Sequence, residues 1–129
     1  MVLVQPENKD NILKIKRISE NAKIPARQNK INLYACINNQ DKKIEIKPGE
    51  LVFVPCGIAI ELESPEYVAL LFVENKIINY SVNFPGSVGV IDSDYRGELN
   101  VVLRNNSKNL YTINHGDKIA YLIIMKIVV

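Results

Sequence analysis

Turn chemistry recurs along this chain at intervals too short to leave room for a run of ordinary helices. It occurs as KPGE at 47–50, SPE at 64–66, FPGS at 84–87, DSD at 92–94, NNS at 105–107 and NHGD at 114–117. Proline presets φ, glycine supplies positive φ, and Asn, Asp and Ser bond their own backbone, so each cluster favours reversal over continuation. Between them lie short segments rich in Val, Ile, Leu and Tyr: 44–46, 51–54, 58–62, 67–73, 99–103 and 111–113. These read as strands, and Leu13 and Ile15 alternating with Lys14 and Lys16 give a first one. No stretch of helical length carries a 3.6-residue period. Many short strands with such punctuation predict an all-β sandwich, jelly roll or barrel.

Two runs, 68–73 and 119–128, are apolar continuously, which predicts strands covered on both faces. One small shell has too little interior for that, so a subunit interface is expected to supply the second cover. The 129 residues, 47% of them hydrophobic, suffice for one domain spanning 1–129, with 1–11 polar and expected to be a loose terminus. Sixteen basic and fourteen acidic residues are dispersed, for a net charge of +2, so direct nucleic-acid binding is not expected. The apolar segment 119–129 falls short of the roughly 20 residues that span a bilayer, so no membrane partner is expected. No secretory signal opens the chain, and Cys36 and Cys56 sit in apolar runs without metal or redox spacing. Buried reduced thiols in an intracellular, cytoplasmic setting follow. The one histidine, His115, excludes a His-rich zinc site and reads as a turn residue.

The segment most suggestive of chemistry is 89–98, GVIDSDYRGE. It reads as an apolar strand end, an acidic turn, an aromatic residue and a glycine, in the manner of a hairpin with a carboxylate at its bend. Amides that follow would hold Asp92, and a carboxylate fixed beside a pocket can orient and deprotonate water. Tyr95 offers a flat apolar face for a sugar. The same pattern is equally that of an Asx-turn hairpin without chemistry.

This string resembles the third signature motif of the trimeric dUTPases, and the likeness extends over roughly 12–128. KIKRISENAKIPAR at 14–27 looks like the family's opening strand and Pro-x-Arg turn, and NLYAC at 32–36 is similar to its first motif. Pro48-Gly49 and VPCGIAI at 54–60 match further segments, and GDKIA at 116–120 the fourth motif. The resemblance implies a jelly-roll-like β-barrel assembled as a homotrimer, with active sites between subunits. It implies hydrolysis of dUTP to dUMP and pyrophosphate, with Mg2+ on the phosphates. Asp92 would activate the attacking water, Tyr95 would pack under the deoxyribose, and the backbone of Gly86, Val90 and Ile91 would read the uracil edge.

Four departures bear on activity. Asn32 stands where the first motif has an acidic residue, and the family's Pro-Arg-Ser-Gly falls on Phe72, Val73, Glu74 and Asn75. Val73 and Glu74 thus replace the arginine and serine that meet the triphosphate. Like charges about 4 Å apart repel by several kcal/mol at an effective dielectric near 20, so Glu74 opposes phosphate binding. Gly86 replaces an asparagine beside the base, and Tyr121 a glutamine of the fourth motif. The sequence stops at Val129 before a glycine-rich fifth motif, the arm that would exclude water from the phosphates. The resemblance therefore predicts a nucleotide hydrolase whose activity is weak or lost, or a pseudoenzyme scaffold binding a protein partner or another ligand. The related dCTP deaminases are disfavoured, because Val102 stands where their catalytic glutamate would be.

Overall fold

The structure is a computed structural model describing residues 2–4, 12–74, 82–83 and 89–128. In chain order the strands are β1 (Val2–Val4), β2 (Leu13–Arg17), β3 (Ile31–Tyr34), β4 (Lys43–Ile46), β5 (Leu51–Pro55) and β6 (Ile58–Leu62). They continue as β7 (Tyr67–Val73), β8 (Val82–Asn83), β9 (Gly89–Ile91), β10 (Asn100–Asn105), β11 (Tyr111–Asn114) and β12 (Lys118–Val128). No helix among the described residues is long and apolar enough to cross a membrane.

Strand β12 organises the largest sheet. One edge pairs antiparallel with β7, from Ala120 opposite Val73 to Lys126 opposite Tyr67. The other pairs first with β3, Tyr121 opposite Asn32, and then with β1, Val4 opposite Lys126. Strand β9 adds to the far edge of β7, Ile91 opposite Ala69. Strands β5, β10 and β8 form a second sheet, and β4–β11 and β2–β6 make two-stranded ribbons. Side-chain alternation sends Ile31, Leu33, Ala69, Leu71, Val73, Leu122 and Ile124 into the core, where Leu13, Ile46, Val54, Ile58, Leu103 and Ile113 meet them.

One expectation changes. Val2–Val4 form a strand on β12, so these residues are not a loose terminus; antiparallel pairing with 126–128 gives their backbone the bonds a free end would lack. On β7 and β12 the inner-face side chains are buried, whereas Leu70, Phe72, Tyr121, Ile123 and Met125 on the outer face are half-buried within the single chain.

Asn105 is the one fully buried polar side chain among the described residues. Its Nδ2 donates to the carbonyls of Ile46 (2.7 Å) and Asn109 (2.8 Å), and its Oδ1 accepts from Ser107 N (2.9 Å) and Oγ (2.8 Å). Its backbone closes the turn at 47–50 through Gly49 N and Glu50 O. One amide thus joins the ends of β10 and β4 to two loops. Asn105→Ala would strand several buried partners and is expected to lower unfolding free energy by about 2–4 kcal/mol, measured by urea denaturation.

Candidate functional site

The segment 89–98 is not a hairpin. Strand β9 pairs with β7, whereas β10 pairs with β5 and β8, so the chain between them crosses from one sheet to the other. The crossing turns on backbone bonds: Tyr95 N–H donates to the Asp92 carbonyl at 3.1 Å. Contrary to expectation, no amide among the described residues bonds the exposed Asp92 carboxylate, which leaves its lone pairs open. Tyr95 folds back on the chain, its hydroxyl donating to the Glu98 carbonyl at 3.0 Å. Its ring occupies the space over Gly97, where an added Cβ would lie 2.6 Å from the hydroxyl oxygen. Arg96 Nη1 donates to the Ser93 carbonyl at 2.6 Å and to that of Tyr95 at 3.3 Å.

Past the loop, Glu98 anchors it to the turn between β5 and β6. Its Oε2 accepts from Gly57 N at 2.9 Å, and Leu99 exchanges backbone bonds with Cys56 and Ile58. Gly57 has φ +72°, and an added Cβ would lie 2.7 Å from Ala22 Cβ and from Cys36 Sγ, so glycine is required there. Burial first, then the Glu98 carboxylate and Cys36, push the Cys56 thiol up to about 12, so it stays protonated and unreactive at neutral pH. Cys36 and Cys56 are both buried and free, as the sequence implied. His115 is more than a turn residue, for its Nδ1 accepts from Ile37 N at 3.0 Å.

A cavity of about 570 Å³ opens beside the loop. Val90, Ile91, Asp92 and Tyr95, singled out from sequence, line it together; Gly86 lies outside the described residues. Sequence reasoning missed the opposite wall, Phe53 on β5 and Asn100 and Val102 on β10. No signal in the sequence marked it, since 51–54 are all apolar; only the fold, which buries Val54, turns Phe53 outward.

Asn32, Val73, Glu74 and Tyr121 come together elsewhere. Asn32, Tyr121 and Phe72 stand in one row across β3, β12 and β7, with the rings of Phe72 and Tyr121 stacked at 5.2 Å. Lys30 Nζ lies 4.7 Å from the Tyr121 ring centre. Asn32 Nδ2 is 3.5 Å from the Tyr34 hydroxyl, Val73 is buried, and Glu74 pairs with Lys118 at 3.2 Å. The loop and this row are far apart in one chain. Asp92 follows Ile91, so it is level with Val68, and six residues of extended chain from there to Glu74 span about 20 Å.

A dUTPase family profile matches residues 30–129. The chain is 37% identical over 99 residues to a deoxyuridine 5′-triphosphate nucleotidohydrolase of Neisseria meningitidis serogroup A, a match covering 76% of the chain and 64% of the relative. It is 36% identical over 125 residues to the corresponding protein of Caldanaerobacter subterraneus, covering 91% and 81%. In fold it is similar to a mutant dUTPase from phage phi11 of S. aureus, described for its coordination of a structural Mg(II) ion (TM-score 0.77, 22% identity, 91% and 92% covered). It is likewise similar to a Staphylococcus bacteriophage 80alpha dUTPase mutant with dUpNHpp (TM-score 0.77, 20% identity, 92% and 85% covered).

Two measurements check this account of the loop. Glu98→Ala leaves the Gly57 N–H without its acceptor and should cost about 1–3 kcal/mol in urea unfolding, while Glu98→Gln keeps an acceptor and most of the stability. For Cys56 the unfolded thiol loses its proton near 9.0 and the folded one near 12. Between those values the folded state holds more protons, so stability falls as pH rises. Tyr111, raised by burial and then by Asp117, adds to the alkaline loss in the same direction. Urea midpoints taken from pH 8 to 11 should therefore decline, and less steeply in Cys56→Ala.

Proposed function

Because the chain belongs to the dUTPase family, we propose that it binds a deoxyuridine nucleotide against the Asp92 loop, with hydrolysis of dUTP to dUMP and pyrophosphate weak or lost. The observation that carries this reading is the contrast between loop and row. The loop keeps an open carboxylate at Asp92 and a tyrosine face at the rim of a nucleotide-sized cavity. The row presents a stacked aromatic pair, a neutral Asn32 and a carboxylate at Glu74 already neutralised by Lys118. Such a row offers little to a triphosphate.

Where hydrolysis survives, Asp92 is the general base: it takes a proton from the water that attacks the α-phosphorus, and pyrophosphate leaves. The same reading makes the protein an intracellular homotrimer. Two observations support the assembly: the half-covered outer face of β7 and β12, and the ~20 Å between Asp92 and Glu74, which one chain does not bridge. Magnesium is the family's expected cation. It would be carried on the substrate phosphates, and Asn32, uncharged where the first motif is acidic, removes one carboxylate that would hold its hydration shell.

A second reading, a non-catalytic scaffold for a protein partner or another ligand, is favoured by the Phe72–Tyr121 stack with Lys30 against it, a surface of apolar and cationic groups. Pyrophosphate release from dUTP and magnesium, run beside the Neisseria relative, tests the first reading. The expected result is turnover at least ~100-fold slower, with calorimetric binding of dUMP retained. Turnover matching the relative and vanishing in Asp92→Ala would sink the weak-or-lost reading. Binding neither dUMP nor a non-hydrolysable dUTP analogue would leave the scaffold.

A further inference from the structure

The cavity beside the Asp92 loop has a wall that the loop does not supply. Phe53 is 65% exposed and Val90 63%, the two most exposed large apolar side chains among the described residues. They belong to different sheets, yet they line the same concavity, and Tyr95, 45% exposed, joins them. Scattered apolar side chains on a surface mean little, but convergence of the most exposed ones on one cavity is the pattern of a ligand site. Strand β5 has no internal need for an aromatic here: its inward position is filled by the fully buried Val54, and Phe53 sits opposite Val102 on the outer face of the pair.

The charges lining the cavity decide which part of a nucleotide enters. Asp92 and Asp94 present carboxylates to it, and the one cation among its described lining residues, Arg96, already donates to two carbonyls of the loop. Phosphate inside would meet like charge, whereas a base has flat apolar faces and a polar edge. Asn100, which lines the same cavity, donates through Nδ2 to the Glu98 carbonyl at 3.2 Å, which leaves its Oδ1 as an acceptor for such an edge.

We propose that Phe53 is a ligand-contacting residue, its ring the wall on which the base of the bound nucleotide stacks, with Val90 across from it and the phosphates directed out of the cavity. This rests on reading the Asp92 loop as a deoxyuridine nucleotide site. Calorimetry with dUMP on the full chain tests it, using Phe53→Ala and Phe53→Trp, with thermal melting and light scattering to follow stability and oligomeric state. Phe53→Ala should weaken dUMP binding about tenfold, as loss of a base–ring stack does, while Phe53→Trp binds at least as well as the parent. Melting temperature and mass should be unchanged in both. Parent-like affinity in Phe53→Ala overturns the proposal and leaves the nucleotide site standing. So does an affinity loss shared by both variants with altered melting or mass, which makes Phe53 structural. An unaltered chain that does not bind dUMP overturns the site and this inference together.

Discussion

The pairing of β12 along both edges sets the position of every other part of the large sheet. Leu122 and Ile124 are buried completely on its inner face, each such side chain contributing about 1.5–3 kcal/mol relative to exposure. A slip of one residue would carry them outward and bring Tyr121 and Ile123 into the core, so the register resists change. Because the β7 register is set against β12, and that of β9 against β7, the strand also determines where Asp92 leaves the sheet.

That chain of registers separates two chemistries. At one end of β7 an exposed carboxylate stands at the mouth of a cavity; at the other a row of rings and one ion pair occupies the sheet surface. The pair between Glu74 and Lys118 is partly exposed and contributes no more than about 1 kcal/mol to folding. Its larger effect is on charge. With Glu74 neutralised, its carboxylate no longer strongly repels an anion, and the aromatic stack with Lys30 against it becomes the row's dominant feature.

Much of this was legible from residues alone. Val-, Ile- and Leu-rich segments between turns rich in Pro, Gly, Asn, Asp and Ser located β2, β4–β7 and β10–β12 to within a residue or two, because turn chemistry and side-chain alternation act locally. Val2–Val4 escaped notice, since three residues carry no period and their strand exists only because the far end of β12 offers an edge. The loop at 89–98 was recognisable by its letters but misjudged in shape. Whether β9 pairs with β10 or with β7 depends on a distant partner upstream, Ile91 on Ala69 being 22 positions apart, which no local pattern records. Phe53 was missed for a related reason: an apolar strand does not announce which of its faces lines a cavity. Asn105 gave no signal either, as its four partners converge only in the folded chain.

The attachments of the Asp92 loop have a consequence for how such a motif is to be understood. Tyr95 is held by Gly97 and Glu98, Arg96 by Ser93 and Tyr95, and the whole segment by the Glu98 carboxylate on Gly57. None of these bonds reaches Asn32, Glu74 or Tyr121. The loop is thus a self-supporting module, and its shape is indifferent to whatever becomes of the distant row. A chain can keep this module intact as part of its architecture after the partner surface has taken on other work, so the persistence of the motif and the persistence of its reaction are separate properties of the molecule.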